Sequence, residues 1–213
     1  MPFDAGLFLR GNESFDGALN AEQMENMEGT VAGCVADLLH ALRIEPDHNT
    51  AETPARVARM LVREVFAGRY AAAPVLTDFP NIAEVDQVDV VGPIAVRSCC
   101  AHHLVPIIGQ VWIGQIPTER LIGLSKLHRL TGWIMQRPQI QEEAAEQLAD
   151  VIEEAVRPRG LAVVIRARHF CCAWRGVRDE PSLMTTSVVR GLFKQDAMAR
   201  AEFMSLIAGM GFS

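Results

Sequence analysis

The chain has 213 residues, 49% hydrophobic and 22% charged, which excludes a disordered, collagen-like or minimal disulfide-framework protein and suits one large domain or one plus a small appendage. Acidic residues outnumber basic ones, 26 against 20, so there is no global positive field for nucleic acid or anionic lipid, and phosphate can be held only in a local pocket. The basic set is lopsided, eighteen Arg and two Lys (Lys126 and Lys194), so a motif that uses Lys stands out.

The N-terminus has an Asp at position 4 and no positive leader, so it does not read as a signal peptide. Residues 1–19 lack periodicity and are expected to form a flexible arm. From Asn20, Met24, Met27, Val31, Val35, Leu38 and Leu42 recur at helical spacing, predicting an amphipathic helix to about Ile44. Thr53-Pro54 starts a second helix, with Val57, Met60, Leu61, Val65 and Phe66 as its stripe and Gly68 as its stop. These make a helical N-terminal region, 20–84.

The remainder, 85–213, reads as one sheet-bearing domain. Val88 to Val96 and Ile107 to Ile116 favour strand. Ser98 to Thr118 carries no formal charge, but its His, Pro, Gly and Gln residues do not suit a membrane span. Helices are expected over about 125–135 and 141–156, the latter with Ala144, Ala145, Leu148, Ile152 and Ala155 inward. The strand-like LAVVIRARHFCCAW, then TTSVVRGLF and a helix over about 198–207, complete an α+β pattern with an antiparallel sheet.

Four of the five Cys and three of the six His fall in two clusters, Cys99-Cys100-Ala101-His102-His103 and His169-Phe170-Cys171-Cys172. In a soluble cytoplasmic protein such concentration suggests metal or catalytic use rather than disulfides. Cys100 and His103 have a gap that one turn can direct at a single ion. Strand alternation puts His169 and Cys171 on one face and Cys172 on the other. Spacing does not separate Cys99 from Cys100, and adjacent Cys in strands are often just small buried hydrophobes. A closed structural zinc would need a fourth ligand, which His102 or His169 could supply.

ETPARVARM, RSCCAHHLVP, IGLSKLHR, QRPQIQE, the HFC cluster, RGVRD, TTSVVRGLF and RAEF occur in one order from Glu52 to the end of the chain. In these motifs the chain resembles the GTP cyclohydrolase I family. The resemblance implies a tunnelling fold: N-terminal helices, then an antiparallel sheet with helices packed on one face, assembling into a barrel. It implies Zn2+ on Cys100, His103 and Cys171 with a fourth position open. It makes His102 the proton donor and acceptor at the purine imidazole ring, assisted by His169. An imidazole, titrating near ~6.5 when unperturbed, suits that work.

The resemblance further implies that Gln141 and Glu142 recognise guanine and that Ser125, Lys126, Arg129 and Arg175 hold the triphosphate of GTP. Without it, Glu142 is simply a first-turn Glu favoured by the helix dipole. Arg137 and Arg178 read as solvated surface charge. The implied partners are GTP and further copies of the chain, as a homo-oligomer of decamer type with sites at subunit interfaces; neither nucleic acid nor membrane is expected. The chain departs from the family pattern at Ala101, where the pattern has Glu, and at Glu143, where Arg is common. Loss of a carboxylate beside a metal can cost roughly 10 to 100-fold in affinity or activity. The expected function is therefore zinc-dependent conversion of GTP to 7,8-dihydroneopterin triphosphate and formate. The alternatives are a diverged or weakened purine hydrolase and a non-catalytic zinc-binding assembly protein.

Overall fold

Asn20 opens the first helix, α1 (Ala21–Ala41), by reciprocal capping: its side chain accepts from the Gln23 amide while the Gln23 side chain accepts from the Asn20 amide. The computed structural model describes residues 9–15 and 18–211. No residue of α1 is buried, and at its end Leu38 and Leu42 are 56% and 61% exposed. Its half-buried stripe lies on α2 (Thr53–Met60), which continues through a π-helical turn at Leu61–Val65 into the short α3 (Ala67–Tyr70). Gly68 therefore does not stop the helix as expected. It sits inside α3, where an added Cβ would come within 1.9 Å of the Trp133 carbonyl oxygen, so close packing demands the glycine.

The main sheet has five strands in the order β5-β2-β3-β6-β7. β2 (Asp89–Cys100), β3 (Pro106–Ile116), β6 (Gly160–His169) and β7 (Met184–Gly191) pair antiparallel, and β5 (Pro138–Gln139) lies parallel to the end of β2. A separate two-stranded ladder joins β1 (Asp78–Pro80) to β4 (Arg120–Ile122), braced by an Arg120–Asp78 ion pair. It links the N-terminal helical region to the sheet-bearing part.

α4 (Leu124–Met135) and α5 (Gln141–Val156) pack on one face of the sheet. Ile94, Val96, Val111, Ile113, Leu161, Val163 and Ile165 meet Leu127, Leu130, Ile134, Leu148 and Ile152 there. Each such side chain, fully buried, contributes about 1.5–3 kcal/mol of hydrophobic stabilisation. The other face is covered at one end, which the sequence pattern did not foretell. Phe193 of α7 (Leu192–Gln195) and Phe203 of α8 (Ala197–Gly209) join Trp112, Ala162 and Val164 in a second core. Gly114 makes room for it, because a Cβ there would lie 2.4 Å from the Phe203 ring. Farther along that face Ala95, Arg97, Ile108 and Arg166 are exposed.

Residues 9–15, expected to belong to a flexible arm, are tied down by hydrogen bonds; residues 1–8, 16 and 17 lie outside the described residues. Arg137, read as solvated, is 4% exposed. Its guanidinium lies 3.8 Å from the Trp133 ring, donates from Nε to the Gly68 carbonyl (3.3 Å) and from Nη1 to the Asn12 carbonyl (3.0 Å). Burial lowers its pKa to about 10, which leaves it charged at neutrality. Arg178 is exposed, as expected.

Candidate metal centre and active site

β2 stays buried through Ser98, Cys99 and Cys100, and the chain then reverses. The Cys100 carbonyl accepts from the amides of His103 (3.4 Å) and Leu104 (2.8 Å), and Leu104 closes the turn with a φ of +51°. Cys100 and His103 thereby face the same space. β5 braces the turn: the Ala101 amide donates to the Gln139 carbonyl at 3.0 Å.

The third ligand arrives by a different route from the one expected. β6 ends at His169, and residues Phe170–Ala173 form a helical turn, α6, so strand alternation does not govern Cys171 and Cys172. The turn still separates them. Cys171 joins the cluster and Cys172 is exposed. The ligand atoms of Cys100, His103 and Cys171 lie within 4.8 Å of one another. Two thiols and an imidazole are a donor set that zinc prefers. Burial, then the Cys100 thiol, pushes the Cys171 pKa up to about 11. Cys99 is likewise raised to about 11 by burial and lies outside the cluster, which resolves the ambiguity between adjacent cysteines.

Neither other histidine joins the three-residue group. His102 is exposed at its edge, with Nδ1 4.0 Å from Cys100 Sγ and its ring 6.3 Å from that of His103. His169 Nε2 lies 2.8 Å from Gln141 Oε1. The Gln141 amide nitrogen donates to the Ile165 and Met184 carbonyls and to Thr186 Oγ1, at 3.1, 3.2 and 3.1 Å. That orientation makes Oε1 the acceptor and His169 Nε2–H the donor. Burial lowers the His169 pKa, against a smaller rise from Glu142, and so favours the neutral ring. Gln141, 1% exposed, is fully engaged in holding His169, while Glu142 is exposed at the start of α5.

The residues expected at the triphosphate separate into two groups. Arg175 is exposed four positions after Cys171. Ser125, Lys126 and Arg129 stand in the first turns of α4, whose other end leads directly into β5 beside Cys99 and Cys100. At 1.5 Å per residue, Ser125 is about 15 Å along the helix from the metal end. Ser125 and Lys126 thus stand at the end of α4 away from the metal turn, and Arg129 one turn nearer to it.

The sheet fits a tunnelling fold, and at its edge stands a three-residue Cys/His group that could hold a metal, beside two further histidines. The sequence profile of GTP cyclohydrolase I matches residues 31–208. GTP cyclohydrolase 1 of Mycolicibacterium paratuberculosis is 41% identical over 202 residues, covering 93% of this chain and 98% of the relative. That of Mycobacteroides abscessus is 43% identical over 176 residues (81% and 86%), and that of Thermoanaerobacter pseudethanolicus 41% over 181 residues (81% and 93%). Among solved structures, the archaeosine synthase QueF-Like in its apo form is similar over 56% of this chain and 97% of its own, at 14% identity and a TM-score of 0.39. The chain belongs to the GTP cyclohydrolase I family, a family of enzymes.

Proposed function

We propose that the chain is a zinc-dependent GTP cyclohydrolase that converts GTP to 7,8-dihydroneopterin triphosphate and formate. The observation that carries this reading is the convergence of Cys100, His103 and Cys171 within 4.8 Å, flanked by His102 and by a His169 fixed on Gln141. Zinc on those ligands would supply a Lewis acid that lowers the pKa of water toward neutrality.

The chain's own residues do the rest. The Glu142 carboxylate accepts hydrogen bonds from the guanine ring N–H and exocyclic amine. His102 gives a proton to N7 of the purine as water adds at C8 and takes one from that water; as the C8–N9 bond breaks, the proton of the C8 hydroxyl passes to N9, and the formamide nitrogen keeps the first proton. His169, neutral and held through Nε2–H, keeps the Nδ1 lone pair available beside it. A second hydrolysis releases formate, and rearrangement of the ribose and reclosure complete the pterin. Arg175 meets the triphosphate from the metal end. Ser125, Lys126 and Arg129 of a second copy meet it from the other side, a reading supported by α4, which sets Ser125 about 15 Å along its axis from the end that meets β5. The active form is accordingly a homo-oligomer, a barrel of decamer type with shared sites. Thiol ligands suit the reducing cytoplasm, and among the described residues no helix is long and apolar enough to cross a membrane.

The test is zinc-loaded protein with GTP, following pterin absorbance and formate together, with Ala101→Glu in parallel. Both products from the unmodified chain are expected, and the Glu variant gains activity if Ala101 weakens the site. No formate from either protein would overturn the reading.

A further inference from the structure

Residues 9–15 run between two arginines that the chemistry above does not use. Arg69 Nη1 donates to the carbonyls of Arg10, Gly11 and Glu13, and Nη2 to that of Leu9, while the Phe15 amide donates back to the Arg69 carbonyl. Arg137 holds the Asn12 carbonyl from beneath. Five hydrogen bonds from two guanidiniums fix a segment with no helix or strand of its own.

From Asn12 two connections lead into the site. Its side-chain amide donates to Glu143, next to Glu142 in the first turn of α5. Its carbonyl accepts from Gln147 Nε2 (3.3 Å), whose Oε1 accepts from Gln139 Nε2 (3.2 Å). The Gln139 carbonyl in turn takes the Ala101 amide, inside the turn that carries Cys100 and His103. A groove of about 380 Å³ separates the two walls, with Arg10, Asn12 and Glu13 on one side and Glu142, Glu143 and Glu146 on the other. The Glu that replaces the family's common Arg at position 143 is thus the residue that receives the Asn12 amide.

We propose that residues 9–15, acting through Asn12, are a positioning element of this site that locks the first turn of α5 and the Cys100–His103 turn in one arrangement. Asn12 touches no reacting atom. The guanine half of this inference rests on the turnover of GTP proposed above; the metal half rests only on zinc held by Cys100, His103 and Cys171.

The experiment uses the full chain with Asn12→Ala, Glu143→Ala, both together, and Gln147→Glu, which keeps the acceptor for Gln139 but loses the donor to Asn12. Zinc release to a chromogenic chelator is read alongside KM and kcat for GTP. Gln147→Glu is expected to release zinc about three- to tenfold faster, short of the roughly 10 to 100-fold typical of a direct partner of a ligand. Asn12→Ala and Glu143→Ala are each expected to raise KM about threefold or more with kcat within about twofold. Their combination should be no worse than either alone, as for two halves of one contact. Parental zinc release in Gln147→Glu together with parental KM in Asn12→Ala would overturn the proposal. A parent that turns over no GTP counts against the function, and the chelator measurement then decides the arm alone.

Discussion

Cys171 and Cys172 are neighbours in sequence, yet one lies within 4.8 Å of two other ligands and the other faces solvent. Cys171→Ala is therefore expected to abolish stoichiometric zinc and turnover, while Cys172→Ala and Cys99→Ala keep bound zinc, as read by metal analysis after dialysis. The environment of Cys171 adds a pH dependence. Burial lifts its pKa to about 11, so near neutrality the free thiol is protonated and zinc has to displace that proton. Zinc affinity should rise with pH, about tenfold per unit for each proton displaced, and zinc addition should release acid measurable in weak buffer. An affinity flat between pH 6 and 8 would contradict this. Chelation should remove activity and added zinc should restore it.

Legibility differs among the elements for physical reasons. α5 is found at the expected 141–156 because its apolar residues keep a clean helical period and all pack inward. β4 and β5, of three and two residues, are too short to show any period, though β5 braces the metal turn. Strand alternation predicts Cys171 in the cluster, but β6 ends at His169 and a helical turn places it there instead. Arg137 and the engaged amide of Gln141 were illegible, since composition cannot reveal that a polar side chain is buried with its partners. The same holds for Arg190 of β7, which lies across the outer side of α5 and reaches Glu146 (2.5 Å), Asp150 (2.7 Å) and Glu153 (2.8 Å). Partial burial lowers its pKa, but the three carboxylates outweigh that and hold it above the ordinary arginine value. Arg190→Ala leaves three like charges along one helix face. Because those carboxylates are 48 to 67% exposed, screening limits the loss to about 1 kcal/mol, which urea unfolding should read and added salt should shrink.

At the scale of the whole molecule, the cations of α4 and the cluster at its far end divide the work between copies in the shared-site reading. Lys126→Ala and His102→Ala should each abolish turnover when assembled alone. Dissociated, mixed and reassembled, the two inactive proteins should regain part of the parental rate, because some sites then take an intact Lys126 from one chain and an intact His102 from another. No recovery from verified mixed assemblies would place both residues in sites within single protomers. The length of α4 carries one more implication. If about 15 Å of rigid helix keeps the two halves of a site apart in every protomer, a lone chain owns two half-sites and no whole one. Specific activity then becomes a property of concentration: it falls on dilution while each chain stays folded and keeps its zinc.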